Sequence, residues 1–414
     1  MKNIKIVLTI IFITFLAICA VYVFVLHKKN TILNTKQEVV FWSLQMGSFD
    51  EYMNPLISKF EKQNPDLKIK WIDVPYSEGE KRTLASILSN TPPDLVNLTP
   101  DFSAVLAQKQ ALMFFDCAKL SQYNKQIVEI LKYDEKCYAI PFYATSAITM
   151  YNKDIFESAQ ITKLPKTYDD MFKIAAQVKQ YTNHFVTMPT LTENDTFLKI
   201  LNKYDIDTSD KLTSKTSEEI FQKFKTLYEK DFIPKESITQ NHQEALEKYM
   251  SGQLAFIQSG GNFLNIVKEN APQVFEKTGV SNQLTGCNGK YDVSIMNLII
   301  PARAKNRDGA LRFALFLTNK QNQIDFAKLT TILPVNNEAL RDDYFISYEE
   351  NDVISKARVI SASQLSNLQS PVKFDRNQKE ILMLLNTAVQ KIVLDKVTLQ
   401  ECLSETKKLW KLME

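Results

Sequence analysis

Apolar and polar positions follow three different rules along this chain. Residues 6–26 carry no charge, a run of 21 that ends at His27-Lys28-Lys29. At about 1.5 Å per residue, such a run crosses a ~30 Å hydrocarbon layer as a helix. Residues 30–37 form a short polar linker. Beyond it the chain switches repeatedly between period two and period 3.6. Val39-Val40-Phe41-Trp42 reads as a buried strand. Residues 49–63 read as a helix, with Tyr52, Met53, Leu56, Ile57 and Phe60 on one stripe, and Asn64-Pro65 stops it. Residues 67–74 alternate as a strand, 76–88 form a second helix, and 94–98 form a third strand introduced by Pro92-Pro93.

This β-α-β-α-β order predicts an α/β fold, with a parallel or mixed sheet and helices on both faces. Ligands in such sheets sit at the carboxyl ends of the strands, here residues 43–48 and 99–102. The middle of the chain continues in the same style. Residues 138–151 are extended and broken by Pro141. Residues 168–179, 218–229 and 243–250 are helical. A strand over 253–258 runs into Ser259-Gly260-Gly261-Asn262, and another covers 292–300. Helices follow over 308–318, 320–329 and 377–394.

The leading apolar run makes residues 1–30 a membrane anchor or a signal. Lys2 and Lys5 supply the positive start of a signal peptide, but no A-x-A-like site follows, and the run exceeds the usual ~7–15 residues of a cleavable core. Leu16-Ala17-Ile18-Cys19 resembles a lipoprotein signal, with branched Ile18 where a small residue is the rule. An uncleaved transmembrane helix, a lipoprotein on Cys19 and a cleaved signal all stay open. Each sends the body to the periplasm or the cell exterior, on the cytoplasmic membrane if tethered.

Composition narrows the classes. About 390 residues follow the tether, more than one hydrophobic core usually serves, so two domains are expected. The 50 basic and 47 acidic residues interleave to a net +3, which argues against a nucleic-acid partner. Nine glycines leave no glycine-rich phosphate loop. Cys117, Cys137, Cys287 and Cys402 include no C-x-x-C pair, so no zinc site is expected. Cys117 and Cys137 either bridge or stay as thiols. Three histidines, with neither H-E-x-x-H nor G-x-S-x-G, argue against an enzyme. No cofactor and no metal are expected.

Short strings carry a resemblance. Phe41-Trp42-Ser43 precedes Phe60-Glu61-Lys62-Gln63-Asn64-Pro65 and Pro93-Asp94-Leu95-Val96. Tyr138-Ala139-Ile140-Pro141-Phe142-Tyr143 then leads to Met150-Tyr151-Asn152-Lys153-Asp154-Ile155-Phe156. Leu164-Pro165-Lys166-Thr167-Tyr168-Asp169-Asp170, Ser251-Gly252-Gln253-Leu254-Ala255-Phe256 and Leu333-Pro334-Val335-Asn336-Asn337 complete the order. From Glu38 onward the series resembles the extracellular solute-binding proteins of ABC importers, in the family 1 branch that binds sugars and oligosaccharides.

The resemblance implies a two-lobed periplasmic-binding-protein-like fold of type II, each lobe a mixed sheet flanked by helices. Lobe 1 would comprise 38–145 and 297–337, and lobe 2 146–293 and 338–414. Crossings are implied near 144–146, near 294–297 and after Asn337, with hinge closure on a ligand. A monomer would hold one carbohydrate and pass it to permease subunits. A tethered carbohydrate sensor and a binding protein for a phosphorylated polyol such as glycerol 3-phosphate are the alternatives.

Sugars present apolar C–H faces and hydroxyl rims, so their sites need rings beside amides and carboxylates. The strand ends offer Gln45, Met46, Asp101, Phe102 and Tyr143. Gly260, Gly261, Asn262 and Phe263 add close backbone, an amide and a ring, and Asn297 lies at the second crossing. Structural roles compete. Trp42 suits a core, Asp101 an N-cap, Asp94 a turn or cap, and Gly260-Gly261 a plain turn. Asn152 or Asp154 suits a helix start. Phe263 stands where the family often has tryptophan, and Ala144 where it often has an acid.

Overall fold

The computed structural model describes residues 36–374 and 377–413, together with Ile18, Val21 and Tyr22. The expected membrane-crossing run and the Cys19 signal otherwise lie outside the described residues. Among the described residues no helix is long and apolar enough to cross a membrane. The chain divides into two units. Unit 1 takes residues up to Leu98, with Leu106–Met113 and Leu298–Phe316; unit 2 takes Thr99–Val105, Phe114–Asn297 and Leu317–Glu414.

Unit 1 is built on β1 (Gln37–Leu44), α1 (Asp50–Gln63), β2 (Leu67–Val74), α2 (Tyr76–Leu88) and β3 (Leu95–Leu98). β1 is central and parallel to both neighbours, with Phe41 opposite Trp71 on one side and Leu95 on the other. Val39 and Phe41 are fully buried. The Phe41 ring meets Phe313 of the helix Arg307–Leu317 edge-on at 5.6 Å, and Phe60 of α1 meets the same ring at 4.9 Å. α2 lies so close to β1 that a Cβ on Gly79 would stand 2.2 Å from Leu44 Cδ2. Helix propensity is given up there for close approach.

Asp94 is more than the turn residue expected from Pro92-Pro93. It is buried, its Oδ2 accepts from Val40 N at 2.9 Å, and its Oδ1 accepts from Asn306 N at 2.8 Å. One carboxylate thus ties the middle of β1 to the loop before the Arg307–Leu317 helix.

Unit 2 has a long central strand, β4 (Ala139–Asn152), antiparallel to β5 (Phe256–Gly260) and β6 (Thr278–Asn282). The strand β7 (Val293–Ile299) neighbours β4. β4 is not broken at Pro141, contrary to the sequence reading. Beyond the proline, Ala144 exchanges both backbone bonds with Leu333, and the Gln323 amide donates to the Phe142 carbonyl. Those partners replace the ladder that a proline interrupts. β5 starts later than expected, at Phe256, and carries Gly260 within the strand.

The helices of unit 2 used below are α3 (Tyr168–Thr182), α4 (Thr196–Asn202), α5 (Lys215–Glu229), α6 (His242–Met250), α7 (Phe263–Asn270) and α8 (Val353–Gln364). α3 starts with a capping box, Thr167 with Asp170, and buries Tyr168, Met171, Ala175 and Val178 at helical spacing. Phe197 of α4 packs on Phe221 and Phe224 of α5 at 4.7 and 5.5 Å. Asn152 caps the helix Lys153–Ser158 through its side chain, as its sequence position suggested. Asp101 is not an N-cap: its helix starts at Pro100, and its Oδ2 accepts from Gln378 Nε2. Cys117 and Cys137 form a disulfide.

Replacing Asp94 by alanine strands two half-buried backbone donors. A buried donor left unsatisfied costs roughly 1–3 kcal/mol, and half-burial puts these at the low end, so the variant should lose about 2 kcal/mol in urea unfolding. A loss under about 1 kcal/mol would mean water replaces the carboxylate.

Candidate functional site

Unit 2 holds a cavity of about 670 Å³. Three pieces of backbone form its wall. The first is the middle of β4 at Thr145, Ser146 and Ala147. The second is the end of β5, from Ile257 to Gly260, with Asn262 and Phe263 at the start of α7. The third is the segment from Thr187 through α4, bringing Met188, Thr190, Glu193, Asp195 and Lys199. Tyr168 and Met171 of α3, His242 of α6 and the segment around Asp292 complete it.

Local chemistry fixes these side chains. A capping box between Asn241 and Glu244 sets His242 at the first position of α6. Its Nε2 lies 2.8 Å from Ser259 Oγ, and its ring meets Phe263 at 5.3 Å, nearly perpendicular. Gln258 is held at both ends, accepting from Leu284 N at 2.8 Å and donating to the Tyr168 hydroxyl at 3.2 Å. Burial, then the Asp292 charge, pushes the Tyr168 hydroxyl far up, so it stays protonated. A Cβ on Gly260 would stand 2.4 Å from Asn262 Oδ1, so a larger residue there would displace the Asn262 side chain from its place at the cavity wall.

Behind the wall, Lys203 is only 1% exposed. Its ammonium meets Asp292 Oδ2 at 2.8 Å, Gln283 Oε1 at 3.2 Å and the Lys290 carbonyl at 3.3 Å. Gln283 also donates to the Asp292 carbonyl at 2.9 Å, and Gln364 of α8 donates to Ser146 Oγ and the Ala147 carbonyl, both at 2.8 Å. The turn at Gly286 lies against the Lys203 backbone, where a Cβ would stand 2.2 Å from the carbonyl oxygen. The network therefore anchors Ser146 and Asp292 to one buried charge.

Two more groups have shifted titration. Burial holds the His242 imidazole below its ordinary value, against the opposing pull of Glu193. Burial also lowers Lys199, but Asp195, at 3.0 Å, with Asp292 and Asp101 outweighs it and raises the ammonium's pKa. The wall is thus the half-buried Phe263 ring and two nearly buried methionines beside fixed amides, hydroxyls and charges. Among the described residues no group of three or more His, Cys, Asp or Glu could hold a metal.

Of the residues expected from the sequence, Gly260, Asn262 and Phe263 line this cavity. Gly261 lines a smaller space of about 60 Å³ with Arg358 and Ser361. Tyr143 packs in an aromatic group with Phe142 and Phe326. Asp101 borders a small space of about 50 Å³ that also touches Lys199 and Asp292. Phe102 is half-buried one residue further along the same helix. Asn297 is buried and donates to Ser103 Oγ at 2.7 Å. Gln45 and Met46 belong to unit 1, Gln45 exposed in the left-handed region and Met46 buried with its N–H on Asp73. Sequence reasoning missed Met188, Thr190, Glu193, Lys199, His242, Gln258 and Asp292. The one local signal was Asn-His-Gln-Glu at 241–244, a capping-box pattern that starts a helix with a histidine.

Residues 55–352 match the family model described as bacterial extracellular solute-binding protein. A Synechococcus sp. MITs9220 structure, provisionally assigned as an oligosaccharide periplasmic-binding protein, shares the fold with a TM-score of 0.79 at 26% identity. The match covers 90% of this chain and 98% of that one. The sugar-binding protein MalE of Xanthomonas citri shares it with a TM-score of 0.78 at 20% identity, over 91% and 97%. The diacetylchitobiose binding protein DasA of Streptomyces coelicolor is 21% identical over 326 residues, 74% of this chain and 75% of its own. The expected α/β periplasmic-binding-protein fold is therefore the observed one.

Lys203→Met should lower stability by about 2 kcal/mol. That is less than the ~3–5 of a fully buried pair, because Asp292 is one-quarter exposed. Chemical denaturation checks it, and an unchanged midpoint would remove the network from the fold's support. A second expectation concerns pH. The folded His242 binds its proton later than the unfolded chain does as pH falls. Stability is therefore fully present above the ordinary histidine value and is lost as pH falls through it toward the lowered one. The drop in melting temperature between about pH 7 and pH 5 should be smaller in His242→Gln than in the parent. Equal drops would show that His242 does not carry it.

Proposed function

The chain belongs to the bacterial extracellular solute-binding proteins, and on that premise we propose that it captures a carbohydrate for an ABC importer. The observation that carries the reading is the composition of the cavity wall. The half-buried Phe263 ring offers a face for sugar C–H groups, with the nearly buried Met171 and Met188 lining the wall beside it. Gln258, Asn262, Thr190 and Ser259 offer hydroxyl partners from positions that the backbone fixes. A volume of about 670 Å³ is within the usual range for small-ligand sites, ~300–1,000 Å³.

The family works outside the cytoplasm. The Cys117–Cys137 disulfide suits an oxidising compartment. Attachment through residues 1–30, a monomeric state, the two lobes with the limits expected above, and delivery to permease subunits belong to the same proposal. So does binding without catalysis. Gly260, Asn262 and Phe263 are the ligand contacts the cavity supports. Gln45, Met46, Asp101, Phe102, Tyr143, Gly261 and Asn297 stay as contacts proposed from the resemblance.

A thermal-shift screen of the purified protein against maltotetraose, diacetylchitobiose, other neutral oligosaccharides and glycerol 3-phosphate tests this. At least one saccharide should raise the melting point in a concentration-dependent way. Phe263→Ala should weaken that saccharide about tenfold, since lost ring contact is worth roughly 0.5–1.5 kcal/mol. A shift by glycerol 3-phosphate alone would favour the polyol phosphate instead. Silence across the panel would sink the carbohydrate reading.

A further inference from the structure

Charge pairing inside the cavity divides its ionisable groups into two sets. Asp195 is neutralised by Lys199 at 3.0 Å, and Asp292 by the buried Lys203 at 2.8 Å. His242 has its Nε2 on Ser259, and burial lowers its pKa. Glu193 remains. It lines the cavity and is only partly exposed, and among the described residues no cation pairs with it. Its charge acts on the His242 imidazole across the space. It lies just before α4, on the segment that also brings Asp195 and Lys199 to the wall.

A carboxylate in a partly desolvated pocket, with no fixed counter-charge, attracts cations and hydroxyl donors and repels anions. Both nearby ammonium groups already have carboxylate partners, so an incoming phosphate or uronate would have to break one of those pairs.

We propose that Glu193 is a specificity-determining residue, which ranks saccharides by charge: amino sugars above neutral sugars, and neutral above uronates or sugar phosphates. This rests on the carbohydrate reading and names its ligand class. The ranking runs against the chain's overall net charge of +3, which by itself would draw anions. A result in the proposed order therefore comes from the pocket and not from general surface attraction.

The test is an array of matched gluco-oligosaccharides of two to four units, in neutral, 2-amino-2-deoxy and uronate forms. It is probed at pH 6.5 with the full chain and with Glu193→Gln, which keeps the side-chain shape. The parent should bind the amino form at least fivefold more tightly than the neutral one, and the uronate at least fivefold more weakly. In Glu193→Gln the amino-to-neutral ratio should fall below twofold, with the melting point unchanged. Asp195→Asn, which removes the direct carboxylate partner of Lys199, should instead improve uronate binding. Equal or tighter uronate binding by the parent, or an unchanged ranking in Glu193→Gln, would overturn the proposal. No binding to any member would instead overturn the carbohydrate reading beneath it.

Discussion

An ammonium group that is 1% exposed must be neutralised where it stands, and Lys203 sets that demand at the end of α4. Leaving such a charge unpaired costs several kcal/mol. Asp292 meets the demand, and meeting it fixes more than one side chain. Gln283 accepts from the same ammonium and donates to the Asp292 carbonyl. The turn between them must pass over the Lys203 carbonyl, which leaves room only for glycine at 286. β7 begins immediately afterward at Val293. The segment from Gln283 to Asp292 is therefore wrapped around one charge, and its two ends, Gln283 and Asp292, are cavity wall.

The same demand reaches the central strand. Gln364 from α8 accepts from Gln283 N and donates to Ser146 and Ala147. Ser146 is thus tied to Lys203 through two amides. Polar networks of this kind specify one arrangement when every member is satisfied and are costly when one is missing. The wall they support is held by satisfied hydrogen bonds, which suits the discriminating site proposed above.

Much of the architecture could be read from local pattern. The strand over 67–74 and the helices over 76–88 and 320–329 have the expected limits. There, period, prolines and asparagines all agree. Reading failed where distant partners decide. Pro141 looked like a break, yet Leu333 and Gln323 carry the strand past it. The β6 sequence Thr-Gly-Val-Ser-Asn has weak strand character, and it forms because β4 offers it a free edge. Among site residues, Gly260, Asn262 and Phe263 were legible because a glycine pair after a strand marks a tight turn into a helix. Glu193, Lys199 and Asp292 were not. Their meaning lies in which charges pair across sequence gaps, and composition gives only the total.

That gap between total and local charge bears on function. Interleaved acids and bases leave the chain nearly balanced, so long-range attraction selects no ligand strongly. In the proposed role, discrimination comes from pairing inside the pocket, where solvent is partly excluded and each unmatched group counts for more. Lys199 and Lys203 are both engaged by carboxylates, which turns two potential anion-binding cations into scaffolding. In the proposed role the neutral, half-buried Phe263 ring meets the apolar face of a guest, while Gln258 is held at both ends by hydrogen bonds. A solute-binding protein gains from the proposed division: an aromatic face gives affinity that tolerates chain length, and the fixed polar atoms give the selection.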